Sequence, residues 1–316
     1  MSVVAEAPGF LQVFSDGSVK RFAPDIVSAS EQEQSSNGYK FKDVVIDPSK
    51  PITARIFLPD VSPRSSTNKL LPLIVYFHGG GFCFGSTTWH GYHHFLGDLS
   101  VASQSIVVSV DYRLAPEYRL PIAYEDCYSS LEWISQQAIS TEPWLAGADL
   151  SWVFLSGDSA GGNIVHNVAV KAITDGISNV KVRGLLIIHP YFGSEKRTEQ
   201  EMAEGSEGHV ASNDMFWGLS IPQGSNRDYL GCNFEKNAEL SATQWYEFPA
   251  VMVNVAGLDF LKERGVMYAE FLQKKQVREV KLVEAEGESH AFYVFHPESE
   301  ATRLLQKQMN EFIKSY

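Results

Sequence analysis

The chain has little cysteine, no surplus of positive charge and no long apolar run. Its three cysteines, Cys83, Cys127 and Cys232, are too few and too scattered for a disulfide framework or a metal cluster. Reduced thiols in a cytoplasmic protein are the expectation. With 26 basic against 38 acidic residues the net charge is −12, which opposes binding to a phosphate backbone or an anionic membrane surface. Neither nucleic acid nor membrane is an expected partner. No apolar stretch reaches the roughly 18 residues of a membrane span. The first residues carry neither the basic region nor the apolar core of a signal peptide. Also missing are Asn-x-Ser/Thr acceptors, a phosphate-binding loop, a dinucleotide fingerprint and repeats of solenoid period. No cofactor is called for.

What the chain does have is chemistry placed at the ends of apolar runs. Gly157-Asp158-Ser159-Ala160-Gly161 follows the run 152–155 and leads into a helical stretch at 163–171. A strand, a sharp turn and a helix with serine at the apex form a nucleophile elbow. A serine hydroxyl needs a base, a group to orient that base, and donors for the oxyanion it creates. Upstream, the run 71–77 enters His78-Gly79-Gly80-Gly81-Phe82. Three glycines leave backbone N–H groups free to face a carbonyl oxygen, so Gly80, Gly81 and Ala160, the residue after the nucleophile, are the expected oxyanion donors. His78 precedes that loop and is expected to orient it.

Acid and histidine should follow the serine, in that order. Asp259 lies just past the run 250–257, and His290 follows one helix and one strand later in Gly287-Glu288-Ser289-His290. Ser159, Asp259 and His290 are therefore the expected triad. Singly each is an ordinary residue; the assignment rests on four features, each past a strand and in the right sequence order.

These segments, with Val110-Asp111-Tyr112-Arg113-Leu114-Ala115-Pro116-Glu117 and Gly162-Asn163, resemble plant carboxylesterases of the hormone-sensitive-lipase-like branch of the α/β-hydrolases. That branch also includes gibberellin receptors and 2-hydroxyisoflavanone dehydratases. The resemblance implies a serine carboxylesterase for small to medium esters, hormone or specialised-metabolite esters or lactones among them, acting through an acyl-enzyme. It also implies the same roles for Ser159, Asp259, His290, Gly80, Gly81 and Ala160. Presence of His290 disfavours a pure hormone receptor, in whose relatives an aliphatic residue replaces it. Ser159, where dehydratases often carry threonine, favours hydrolysis over a lyase or cyclase.

Runs at 71–77, 105–110, 152–156, 182–188, 250–256 and 279–284 alternate with helical segments, the pattern of a mostly parallel sheet covered on both faces. Together with the resemblance this gives an α/β-hydrolase fold in one domain spanning 1–316. A hairpin signal at Asp16-Gly17 and two strand patterns within 41–59 make the first sheet edge antiparallel. Two segments outside this pattern, 1–38 and 193–245, are expected to form a cap. The charged run 194–207 reads as a solvated face, and Met215-Phe216-Trp217 with Leu219 as either a core element or a wall of the site. Phe82 and Phe84 are expected to narrow the acyl side. His90, His94 and Asp98 share a helical face beside His93, but nothing else completes a coordination sphere, so packing and hydrogen bonding are expected and no metal.

Overall fold

The structure, a computed structural model, describes residues 2–60, 70–140, 142–236 and 240–316. Its first three strands, β1 (Val3–Ala7), β2 (Leu11–Phe14) and β3 (Val19–Arg21), form a small antiparallel sheet. The turn at Asp16-Gly17 is a hairpin as expected, but it builds this separate sheet and not the edge of the main one. Gly17 sits at φ 85° and Asp16 caps the turn through Ser18, the residue types such a turn demands.

The remaining strands are β4 (Gln34–Ser36), β5 (Tyr39–Asp47), β6 (Ile52–Pro59), β7 (Leu71–Phe77), β8 (Ile106–Asp111), β9 (Ala148–Asp158), β10 (Val182–Ile188), β11 (Ala250–Ala256) and β12 (Val280–Ala285). They make one sheet in the order β12-β11-β10-β9-β7-β8-β6-β5-β4. From β8 to β12 every neighbouring pair is parallel, whereas β6, β5 and β4 run antiparallel at one edge. The strand β4 corrects one expectation: residues 34–36, assigned to a cap, are the edge strand of the main sheet. Their sequence, Gln-Ser-Ser, has no apolar period, and pairing with β5 is carried by backbone alone.

Helices α1 (His90–Ser103), α2 (Ile122–Ser140), α3 (Ala160–Asp175), α4 (Glu199–Met202), α5 (Glu207–Ser220), α6 (Ala242–Tyr246), α7 (Lys262–Lys274), α8 (Phe292–Phe295) and α9 (Glu300–Lys314) fill the connections. Side chains alternate along each buried strand, so Leu185 and Ile187 join one core while Leu186 and Ile188 join the other. The first core packs α2, α3 and α7 through residues such as Leu131, Ile164 and Leu272. The second packs α1 and α9 through Phe95, Leu99, Met309 and Phe312. Each fully buried aliphatic contributes about 1.5–3 kcal/mol relative to exposure. The parallel strands from β11 to β8 are paired on both sides, while β12 is the edge strand, paired with β11 alone. The loops leaving the C-terminal ends of the parallel strands carry the chemistry.

Candidate active site

Ser159 stands between β9 and α3 at φ 51° and ψ −118°. A non-glycine residue held in so sparsely populated a region costs about 1–3 kcal/mol and persists only where its surroundings fix it. They do so here: the Ser159 N–H donates to the Ile188 carbonyl, and the Ser159 carbonyl accepts from the Tyr191 N–H, both at 2.9 Å. The flanking glycines follow from close backbone approach. A Cβ on Gly157 would lie 2.6 Å from the Gly161 carbonyl, and one on Gly161 would lie 1.9 Å from the Phe77 oxygen.

The loop after β7 turns back on Gly80, whose carbonyl accepts from the N–H groups of Cys83 at 2.9 Å and Phe84 at 3.1 Å. Gly80 and Gly81 have φ of 104° and 57°. A Cβ on Gly80 would sit 2.0 Å from the Phe84 oxygen, so glycine is required there. His78 orients this loop as expected: its Nδ1–H donates to the Gly79 carbonyl at 2.8 Å, Nε2 lies 3.5 Å from Asp111, and its ring stacks on Tyr112 at 4.5 Å. Arg21 of β3 clamps the far side, donating to the carbonyls of Cys83 and Ala115 and to both Glu117 oxygens.

Asp158, next to the serine, is 1% exposed. It accepts from the Tyr76 hydroxyl at 2.7 Å and the Tyr92 hydroxyl at 2.9 Å. Tyr92 in turn accepts the Gly79 N–H at 3.0 Å, so one tyrosine ties the elbow to the glycine loop. Burial still lifts the Asp158 carboxyl above its ordinary range, against the tyrosine hydrogen bonds.

Asp259 leaves the C-terminal end of β11 and His290 the loop after β12. Their side chains are 2.6 Å apart, Nδ1 to Oδ2, with Asp259 2% and His290 36% exposed. Burial disfavours the imidazolium, but the charge and hydrogen bond of Asp259 outweigh it and His290 is raised above its ordinary 6.5. The converse holds for Asp259: burial pushes up, the charge and hydrogen bond of His290 pull harder, and the carboxyl ends below its usual range.

Ser159, Asp259, His290, Gly80 and Gly81 all line one cavity of about 450 Å³. Ala160 lies behind Ser159 as the first residue of α3, fully buried. Phe10 from the N-terminal sheet, Phe84, Trp89 and Phe295 form an aromatic wall, Phe10 stacking on Phe84 at 5.1 Å and on Trp89 at 5.9 Å. Helix α5 adds His209, Ser212, Asn213 and Phe216, the last with its ring centre 5.7 Å from that of Phe84. Sequence patterning did not find Phe10, Trp89 or Asp158, although a carboxylate beside the serine at the end of an apolar strand was a usable signal.

Two expectations about this region change. Phe82 does not narrow the cavity; it is 1% exposed and packs on Trp217 at 5.6 Å, while Phe84 alone of the pair faces the site. Nor is 194–207 merely a solvated face. Glu201 and Arg264 form a buried bidentate pair at 2.8 Å, and Arg197 and Arg227 both contact Asp214, which fastens α4 and α5 to α7. The aromatic cluster divides between its two expected places: Phe216 reaches the cavity, and Trp217 stacks on Tyr191 at 4.3 Å in the core.

The His90, His94 and Asp98 face lies on α1, with the two imidazoles 4.1 Å apart between ring centres. His93 beside them is buried and hydrogen-bonded to Tyr39 and Arg55. Among the described residues, the group spaced to hold a metal is His189, Asp259 and His290, whose ligand atoms lie within 4.8 Å of one another. His189 has no lone pair free for an ion: its Nδ1 accepts the Ala291 N–H at 3.0 Å, which leaves Nε2 of the neutral ring protonated.

Comparison with known proteins agrees with this geometry. The chain is 36% identical to a protein named probable carboxylesterase 6 of Arabidopsis thaliana, over 99% of this chain and 92% of that one. Tuliposide A-converting enzyme 1, chloroplastic, of Tulipa gesneriana is 35% identical, covering 99% and 78%. A 2-hydroxyisoflavanone dehydratase of Glycyrrhiza echinata is 32% identical, covering 98% and 95%. Among solved structures, an esterase of Pyrobaculum calidifontis superposes with a TM-score of 0.73 at 30% identity, over 87% of this chain and 84% of that one. The cytoplasmic expectation is overturned here. One tulip relative is named chloroplastic, another amyloplastic, and an Arabidopsis relative mitochondrial. Few cysteines and a negative charge fit any reducing aqueous compartment and do not distinguish cytosol from organelle. Residues 74–294 match the alpha/beta hydrolase fold family, and the chain belongs to that family, alongside the plant carboxylesterases.

Proposed function

We propose that the protein is a serine carboxylesterase in which Ser159 is the nucleophile, His290 the base, Asp259 its orienter, and the N–H groups of Gly80, Gly81 and Ala160 the oxyanion donors. The observation that carries this reading is the 2.6 Å His290–Asp259 pair opening onto the cavity that also holds Ser159 and the glycine loop. An ionised Asp259 only accepts, so Nδ1 of His290 holds the proton and Nε2 is left as the base. Nε2 takes the Ser159 proton as Oγ attacks the ester carbonyl. The developing oxyanion is met by backbone donors whose worth is about 10²–10³-fold in rate each. Ala160 suits that role as the first residue of α3, where helix N–H groups lack intrahelical partners. His290 then protonates the departing alcohol, leaving an acyl ester on Ser159, and activates the water that hydrolyses it.

A cavity of about 450 Å³ suits a small to medium ester. The N-terminal segment and α5 act as its cap. Aromatic rings and the polar groups of α5 line it together, an arrangement compatible with hormone or specialised-metabolite esters and lactones.

The dehydratase relative motivates a second reading, elimination of water in the same cavity. That reaction needs a base but no acyl-serine. A fluorophosphonate probe followed by peptide mapping, with a short p-nitrophenyl ester as substrate, separates the two. Rapid adduct formation on Ser159 with ester turnover supports the esterase; a labelled serine without ester turnover supports the lyase, and no labelling contradicts the nucleophile.

A further inference from the structure

The end of β10 touches all three segments of the proposed triad. Its Ile188 carbonyl accepts the Ser159 N–H at 2.9 Å, the His189 N–H donates to the Asn254 carbonyl of the acid-bearing strand at 2.8 Å, and the His189 ring accepts the N–H of Ala291, the residue after His290, at 3.0 Å. His189 is 1% exposed and its ring centre is 5.7 Å from that of His290.

Two of the residues joined here are left-handed without being glycine: His189 at φ 45° and Ala291 at φ 52°. Such a conformation costs an L residue about 1–2 kcal/mol, and its hydrogen bond to the ring gives the His290 loop a reason to hold it. Backbone bonds also tie this loop, Leu258 N–H to the Glu288 carbonyl at 2.9 Å and Phe292 N–H to the Ser289 carbonyl at 3.3 Å, but α8 begins at Phe292 with Ala291 as its cap, and the side chain that meets the Ala291 N–H is that of His189. Among the described residues, Nε2 of His189 falls outside strict hydrogen-bond geometry and is left to the Asn254 side chain, whose amide atoms are likewise without a strict partner, so Nδ1 is the atom that fixes the ring to the loop.

We propose, resting on the serine esterase reading, that His189 is a positioning residue: its Nδ1 holds the Ala291 backbone and so sets the His290 imidazole between Asp259 and Ser159. His189 touches neither substrate nor the reacting atoms. It also stays neutral beside a charged His290, since burial first and the His290 charge second push it down to about 3. The charged groups facing it are Asp259 and His290; Asn254, Phe292 and Tyr293 complete its surroundings.

The test compares His189→Phe, which keeps a buried ring but offers no acceptor, with His189→Asn, whose amide oxygen falls near the Nδ1 position and which tolerates a left-handed backbone. Steady-state kinetics on p-nitrophenyl butyrate are measured across pH with thermal melting of each variant. His189→Phe should lose about 10²-fold in kcat with KM nearly unchanged, as a displaced catalytic group does. Its acid limb should move to lower pH, because a looser Asp259 contact raises His290 less. His189→Asn should recover most of kcat and the limb. Wild-type kcat in a folded His189→Phe, or a His189→Asn as impaired as His189→Phe, overturns the proposal. If His189→Phe does not fold, His189→Ala replaces it, and equal kcat in the Ala and Asn variants overturns it likewise. Failure of the wild-type protein to hydrolyse the ester or to be labelled by the probe would instead overturn the esterase reading itself.

Discussion

Asp259 is held by two hydrogen bonds at once: one oxygen accepts the Leu261 N–H at 2.8 Å, and the other accepts Nδ1–H of His290 at 2.6 Å. The carboxylate is therefore fixed by its own chain before it fixes the histidine. The Asp259 carbonyl also accepts from the Gln200 side chain at 3.3 Å, so α4 reaches the same turn.

The pair sets a pH dependence. In the proposed mechanism the neutral form of His290 is the base, and its protonation is favoured by Asp259, so kcat/KM should fall as pH drops through a midpoint above the ordinary 6.5. Asp259→Asn should lower kcat by about 10³–10⁴-fold and shift that midpoint to lower pH. A pH series on both proteins checks it; an unchanged or raised midpoint contradicts the assignment of Asp259.

The Glu201–Arg264 pair should matter for stability, since its side chains are 9% and 5% exposed. Arg264→Leu leaves the buried Glu201 with the longer contact to Arg197 at 3.8 Å and should cost up to about 3–5 kcal/mol. The double variant Glu201→Leu/Arg264→Leu should cost less than Arg264→Leu alone. Urea unfolding of the unaltered protein and these two variants decides the point, and a double variant less stable than Arg264→Leu would contradict the pairing.

Substrate length should be limited by the aromatic wall. With a p-nitrophenyl alcohol held constant, kcat/KM should fall steeply from butyrate to palmitate, each misfit costing about 1–3 kcal/mol. Phe84→Ala should recover longer chains, while Phe82→Leu should not, because Phe82 faces the core. Equal turnover of butyrate and palmitate by the unaltered protein would contradict a closed cavity.

Ester hydrolysis should survive EDTA, since the proposed chemistry uses a serine and a proton-bearing imidazole. Loss of activity in the chelator with recovery on adding zinc would instead place a metal at His189, Asp259 and His290 or on the His90 and His94 face.

The parallel strands were legible because burial on both faces writes them as continuous apolar runs, as at 71–77 and 250–256. The elbow and glycine loop were legible because close backbone contact permits glycine alone at Gly157, Gly161 and Gly80. What escaped depends on contacts far apart in sequence. The strand at Gln34–Ser36 pairs by backbone and carries no apolar pattern. Glu201 looked like one charge in a solvated run because its partner Arg264 lies 63 residues away. Phe82 and Phe84 differ by one turn of the glycine loop, which sends the first into the core and the second into the cavity. His189 read as the residue after a strand, and its role follows from a hydrogen bond to Ala291, 102 positions on.

The most direct measurement is kcat/KM of Ser159→Ala on p-nitrophenyl butyrate beside the unaltered protein, with thermal midpoints of both. Removing one hydroxyl should leave the midpoint nearly unchanged and lower the rate by about 10³-fold or more, because triad members act as a unit. A folded Ser159→Ala that keeps more than a few per cent of the rate would contradict Ser159 as the nucleophile.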